Sequence, residues 1–314
     1  MKDQAEKLRN LVNSKKPDEK KDTEEIIQKP IESSGKKPEK KIEKKTGNNA
    51  ARVITIASGK GGVGKSNFVL NVAINMNYLG KRVCIIDADF GMANISTLTG
   101  KVSQKSLAQV LNRTSKIEEI IEEGPGGVHL ISGGSGLLEL SSLSEENLEY
   151  LIKSFSKLDN LYDIILIDTG AGAGPYVTNL MKAAGETIIV TTPEPTSLID
   201  AYSLIKIIKT LDLTLPNLYI AINRVESFDE GVAVYKKIDA IVQRYTGLSL
   251  SLIGLVPEDD KLKKAVKAQL PLAIYFPNST SAKNLKLIAT RIIEKNIDLE
   301  TSGVSFLSRL RKIF

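Results

Sequence analysis

Residues 52–66 read RVITIASGKGGVGKS, and the reading of this stretch decides the fold. Arg52 to Ser58 form an apolar, β-branched run with no polar alternation, the pattern of a strand buried on both faces. Four glycines follow, Gly59, Gly61, Gly62 and Gly64, and from Lys65 to Leu79 the pattern is helical. Strand, glycine loop and helix in this order make the G-x-x-x-x-G-K-[ST] spacing a phosphate-binding loop. Backbone N–H groups from Gly59 through Lys60, Gly61, Gly62, Val63, Gly64, Lys65, Ser66 and Asn67 are expected to surround a nucleotide's phosphates, helped by the positive end of the helix. Lys65 is expected at the β- and γ-phosphates and Ser66 on Mg²⁺. One lysine suffices for such a loop, so Lys60 is unexplained by the ordinary pattern.

Working outward, RVITIAS is followed by the runs KRVCIID, VHLIS, YDIILID, ETIIVTT, LYIAIN and LSLIGLV, separated by amphipathic helical segments. Runs apolar on both faces alternating with helices predict an α/β fold, a doubly wound and mostly parallel sheet with helices on both faces. Ligands of such sheets sit at the carboxyl ends of the strands. Two of those ends carry acids: CIIDADFGMAN supplies Asp87 and Asp89, and IILIDTGAGAG supplies Asp168. A carboxylate closing a buried strand must meet water, metal or substrate at the sheet's edge. Asp168 suits the role of a strand-end acid that holds a water bound to Mg²⁺. Asp87 and Asp89 point to the organisation of metal-bound and attacking water.

Composition narrows the class. The 314 residues are 42% hydrophobic, enough for a sizeable core, and carry a formal net charge of +6. That charge permits an acidic partner or an anionic membrane without requiring either. The single cysteine, Cys84, lies in an apolar run, which excludes disulfides and cysteine-ligated clusters within one chain. No apolar run approaches the roughly 20 residues that span a bilayer, and a cytoplasmic protein is expected. Residues 13–50 are dominated by Lys, Glu, Pro and Ser and read as a disordered tether. The expected organisation is a short helical motif at 1–12, the tether at 13–50, a nucleotide-binding domain at 51–297 and a terminal helix at 298–314.

The KGGVGKS loop with its extra lysine, the DADFGMAN and DTGAG segments, and the later INRVE and LVPEDD stretches resemble the deviant-Walker ATPases of the MinD/ParA group. The resemblance implies a slow ATPase that dimerises around ATP, Lys60 reaching the phosphates held by a second copy. It implies a catalytic set of Lys60, Lys65 and Asp89, with Asp89 positioning the water, and Mg²⁺ organised by Ser66, Asp87 and Asp168. Gly170 corresponds to the backbone that senses the γ-phosphate. Asn223 and Arg224 correspond to the adenine site, with Pro257 and Glu258 as its other wall.

The two ends point further. Taken as a helix from Val304, the terminus SGVSFLSRLRKIF places Val304, Phe306, Leu307, Leu310, Ile313 and Phe314 on one side and basic residues on the other. This is the pattern of an interfacial amphipathic helix, to be held reversibly at the inner face of the cell membrane on anionic lipid. Folding back onto the domain is the competing reading, and the two are compatible in different nucleotide states. At the other end, DQAEKLR is similar to the D-Q-A-x-x-L-R element of the FlhG family, also written YlxH or FleN, which controls flagellar number and placement. The matching residues are Asp3, Gln4, Ala5, Leu8 and Arg9. The resemblance implies stimulation of the GTPase FlhF, with Gln4 as the stimulating residue, and delivery of flagellar basal-body and C-ring components. A division-site MinD or a DNA-segregating ParA are the alternatives. The apolar residues interleaved at the carboxyl terminus suit lipid better than DNA, so no specific nucleic acid is expected.

Overall fold

The computed structural model describes residues 50–89, 94–100, 103, 105–133, 145–211, 217–294 and 306–313. The expected amino-terminal motif and nearly all of the tether lie outside these residues, as do Val304 and Phe314.

The strands are β1 (Arg52–Ser58), β2 (Val83–Ala88), β3 (Glu122–Glu123), β4 (His129–Ser132), β5 (Ile164–Ala171), β6 (Glu186–Thr191), β7 (Asn217–Val225) and β8 (Ser251–Pro257). They form one sheet in the order β3-β4-β2-β5-β1-β6-β7-β8. Every pairing is parallel except β3 with β4. The seven long runs read from sequence are the seven parallel strands. The two-residue edge strand β3 was not expected, because Glu122 and Glu123 carry no apolar signal.

Between the strands run α1 (Lys65–Tyr78), α2 (Asn94–Thr99), α3 (Leu107–Leu111), α4 (Glu145–Asp159), α5 (Pro175–Ala184), α6 (Pro195–Thr210) and α7 (Phe228–Thr246). After β8 come α8 (Asp260–Lys267), α9 (Leu272–Tyr275), α10 (Thr280–Glu294) and α11 (Phe306–Ile313). Side chains of one strand alternate between faces, so each strand feeds two cores. Ile54 and Ile56 of β1 join Phe68, Val72 and Met76 of α1 and Leu285 and Ile288 of α10 on one face. Ala57 of the same strand joins Met181 of α5, Leu204 of α6 and Val242 of α7 on the other. Two helical layers around a parallel sheet confirm the doubly wound class. Strand β1 lies between β5 and β6 at the centre, where the strand order reverses, and the loop that follows it opens at the site that such sheets use for ligands.

Candidate functional site

The glycine loop leaves β1 and enters α1 at Gly64, which caps the helix in the left-handed region at φ 90°. A side chain there would be strained, and its Cβ would stand 2.4 Å from Asn223 Nδ2. Gly59 is needed for a different reason: a Cβ would fall 2.2 Å from the Asp200 carbonyl on α6. The loop is thus pressed against α6 on one side and held from β7 on the other. Asn223, 4% exposed, donates its side-chain amide to the Val63 carbonyl at 2.8 Å. Arg224, itself left-handed at φ 59°, donates its guanidinium to the Gly62 carbonyl at 2.9 Å. Both were expected beside adenine. The structure engages both side chains with the loop's own backbone, a bracing role that the sequence did not disclose. Pro257 and Glu258 stand next to them: Val225 and Pro257 are register partners, the Glu258 amide donates to the Val225 carbonyl, and the Glu258 carboxylate pairs with Lys263 at 2.8 Å.

Lys65 turns inward. Its ammonium lies 2.5 Å from Asp168 Oδ1, with the two side chains 7% and 0% exposed, and it also donates to the Thr169 carbonyl. Asp87 and Asp168 are register partners on adjacent parallel strands, so their carboxyls project from the same face of the sheet. Burial pushes the Asp168 carboxyl above its usual range, against the pull of Lys65 and Ser66. Its Oδ2 accepts no hydrogen bond among the described residues. Burial, reinforced by the Asp168 charge, raises Asp87 from 3.8 to about 6, while N–H groups of Asp89 and Ile95 and the charge of Lys65 oppose it. Those two amides donate to Asp87 Oδ1 and Oδ2, each at 3.2 Å. Asp89 lies just beyond β2 beside Gly170, where an added Cβ would stand 3.5 Å from Asp89 Oδ1.

The raised Asp87 has a measurable consequence in protein free of nucleotide and Mg²⁺. An acid whose folded pKa exceeds its unfolded one favours the native state while protonated, and that contribution is lost as pH rises from about 4 through 6. Relative to Asp87→Asn, the wild type is expected to lose on the order of 2–3 kcal/mol between pH 4 and pH 7, measured by urea unfolding at each pH. A parallel pair of profiles would rule out the shift.

Lys60 is placed apart from this cluster. Its ammonium donates to Thr196 Oγ1 at 3.0 Å and Glu194 Oε2 at 3.3 Å, and the lysine and glutamate side chains are 40% and 57% exposed. Exposed pairs of this kind contribute little, so the lysine is held lightly at the mouth of the loop. Sequence reading missed Glu194 and Thr196, which open α6 in the segment PEPTS.

The carboxyl-terminal helix α11 packs on its own domain, against α4 and α5. Leu310 is 2% exposed, and Phe306 lies beside Phe155 with ring centroids 6.3 Å apart. Phe306 and Leu310 share an apolar groove with Ile86, Ile167, Tyr176 and Leu180. Arg309 donates to the Ala183 and Ala184 carbonyls at 2.9 Å, capping the end of α5. Arg311 pairs with Glu149 at 2.8 Å. Leu307 is half-buried, and the Ile313 side chain lies outside the described residues. The fold-back reading is therefore the arrangement this structure holds. Among the described residues no helix is long and apolar enough to cross a membrane.

Residues 51–221 match a family described as AAA domain. The chain is 34% identical to the antiactivator FleN of Pseudomonas aeruginosa, over 77% of this chain and 86% of that one. It is 32% identical to the flagellum site-determining protein YlxH of Helicobacter pylori, over 99% of each. Among solved structures, the septum site-determining protein MinD of Pyrococcus horikoshii, complexed with Mg-ADP, superposes with a TM-score of 0.62 at 26% identity, over 78% of this chain and 96% of that one.

Proposed function

The chain belongs to the AAA-domain family, in its MinD/ParA-like ATPase branch alongside FleN and YlxH, and from that premise we propose that it is an ATP-driven switch controlling flagellar number and placement. The observation that carries the chemistry is the meeting of Lys65, Asp168 and Asp87 at the carboxyl ends of β1, β5 and β2. A lysine already committed to a buried carboxylate is poised to exchange that partner for a phosphate. Asp168 Oδ2, buried without a hydrogen bond among the described residues, is an acceptor awaiting a cation or a water.

These residues fit Mg²⁺ with a nucleotide. Among the described residues no group of three or more acidic, histidine or cysteine side chains forms a complete metal cage. Mg²⁺ is ordinarily bound by one or two carboxylates together with phosphate oxygens and waters, which is what Ser66, Asp87 and Asp168 would leave room for. Bound there, the ion would supply charge neutralisation at the phosphates. The chain's own residues do the remainder: loop amides hold phosphate oxygens, Lys65 offsets their charge, and Asp89 orients the attacking water beside the Gly170 backbone. Hydrolysis is slow and depends on dimerisation, with Lys60 contributed by each subunit to the other's nucleotide.

The docked α11 supports a switch in membrane attachment. With Leu310 and Phe306 turned into the domain, these two apolar side chains of the helix are withheld from lipid. Release in an ATP-bound dimer would present two such helices together, and paired weak anchors gain about 10²- to 10⁴-fold through effective concentration. The protein then cycles between cytoplasm and the inner face of the membrane, binding anionic lipid and delivering basal-body and C-ring components.

Similarity to YlxH along 99% of the chain extends this reading to the amino-terminal residues Asp3, Gln4, Ala5, Leu8 and Arg9, which lie outside the described residues. They stimulate FlhF, and a glutamine delivered to another protein's nucleotide can orient its water. A peptide of residues 1–12 is expected to raise GTP turnover by purified FlhF at least about tenfold, well below what a catalytic side chain supplied in trans can contribute to a bound nucleotide. The Gln4→Ala peptide is expected to be inert. Equal turnover with and without the peptide would return the client to unknown while leaving the ATPase assignment intact.

A further inference from the structure

The turn between α8 and α9 contains an outlier. Gln269 follows the last residues of α8 in the left-handed region at φ 55°, with its N–H closing back on the Val266 carbonyl and the next N–H on Ala265. This is the position where helices ordinarily place glycine, because any side chain there is strained. The strain persists where surrounding structure over-determines the conformation. At this position the side chain reaches out of the turn: Gln269 Nε2 donates to the Thr97 carbonyl of α2 at 3.0 Å. Its Oε1 lies against Gly100, where an added Cβ would stand 3.4 Å away.

Helix α2 directly serves the acidic cluster. The Ile95 N–H near its start donates to Asp87 Oδ2. Four residues beyond Gln269, within α9, the Ala273 N–H donates to Asn71 Oδ1 of α1 at 2.8 Å in a buried contact. The α8–α9 turn and the short helix it feeds therefore hold both the helix that follows the Asp87–Asp89 segment and the helix that leaves the phosphate loop. We propose that Gln269 is a positioning residue that latches α2 to the α8–α9 turn, so that the Ile95 amide stays on Asp87. The proposal rests on the ATPase reading for its catalytic consequence, though not for the latch itself.

The test compares wild type with Gln269→Gly, which relieves the strained backbone while removing the latch, and with Gln269→Glu, which keeps size but places an acceptor where the donor was. Gln269→Gly is expected to melt at or above the wild-type temperature, because glycine suits the turn. Loss of one hydrogen bond should nevertheless make amide exchange in residues 94–100 about fivefold faster. Gln269→Glu should show the same faster exchange. ATP turnover at saturating Mg²⁺ should fall severalfold in kcat with KM for ATP unchanged, a split that general loss of structure does not produce. Wild-type exchange in both variants would overturn the latch. Faster exchange with unaltered kcat would overturn its link to Asp87. A wild-type protein without ATP turnover would instead refute the ATPase reading, leaving the exchange measurement to decide the latch.

Discussion

Replacing Lys65 by methionine is expected to lower the stability of the nucleotide-free protein by about 3–5 kcal/mol, because removing one member of a buried ion pair leaves the other charge uncompensated. Asp168 is fully buried beside it, and the Thr169 carbonyl loses a donor as well. For a domain of this size the melting temperature should drop by roughly 10 °C. Nucleotide binding should be lost in the same variant. The decisive companion is Lys65→Met with Asp168→Asn, where no orphan charge remains. The double variant is expected to recover most of the lost stability while staying unable to bind ATP. The pH dependence follows from linkage. Without Lys65, burial holds the Asp168 pKa still further above its unfolded value, so the native state retains a proton that the unfolded chain releases. The deficit of the single variant should therefore shrink as pH falls from 8 towards 5. Chemical denaturation of wild type, both single variants and the double variant closes the cycle; additive losses would show that the pair carries no such coupling.

Substituting Lys60 by alanine should have the opposite profile. Its in-chain partners Glu194 and Thr196 are at the surface, and an exposed pair is worth about 0–1 kcal/mol, so folding should be almost unaffected. Lys65, Asp87 and the loop amides remain in place, so a single chain should still bind nucleotide. On the proposed mechanism, what is lost is a cation offered to a second copy. Truncating one partner of a desolvated charge contact across an interface typically costs about 2–5 kcal/mol, and a two-fold dimer would contain two such contacts. ATP-dependent association should therefore disappear at micromolar protein, as read by analytical ultracentrifugation, while equilibrium dialysis reports unchanged nucleotide uptake.

The difference between these two lysines shows what sequence alone carries. The buried β-branched runs specify strands because nothing but a covered sheet satisfies them, and β1 to β8 follow with only the two-residue β3 unseen. The phosphate loop is legible because strand, glycines and helix are contiguous. Contacts made by chain segments far apart are not: Lys60 with Glu194, Asn223 with the Val63 carbonyl and Gln269 with Thr97 depend on strand order and on helix approach. The register pairing of Asp87 with Asp168 is a fact of the sheet, invisible until β2 and β5 are known to be neighbours. The carboxyl-terminal helix illustrates a different limit. A basic amphipathic pattern describes a helix lying on lipid and one lying in an apolar groove equally well, since either surface accepts the same side chains. Only the fold supplies the bare carbonyls of Ala183 and Ala184 that Arg309 caps.

The central claim is that ATP joins two copies of the chain and that the pair, not the single chain, holds membrane. It is tested most directly on Asp89→Ala, which blocks hydrolysis, by light scattering at saturating Mg-ATP followed by sedimentation with anionic liposomes. The account predicts the mass of a dimer and co-sedimentation, with Lys60→Ala in the same background giving a monomer left in the supernatant. A monomeric Asp89→Ala protein that sediments fully with liposomes would contradict it.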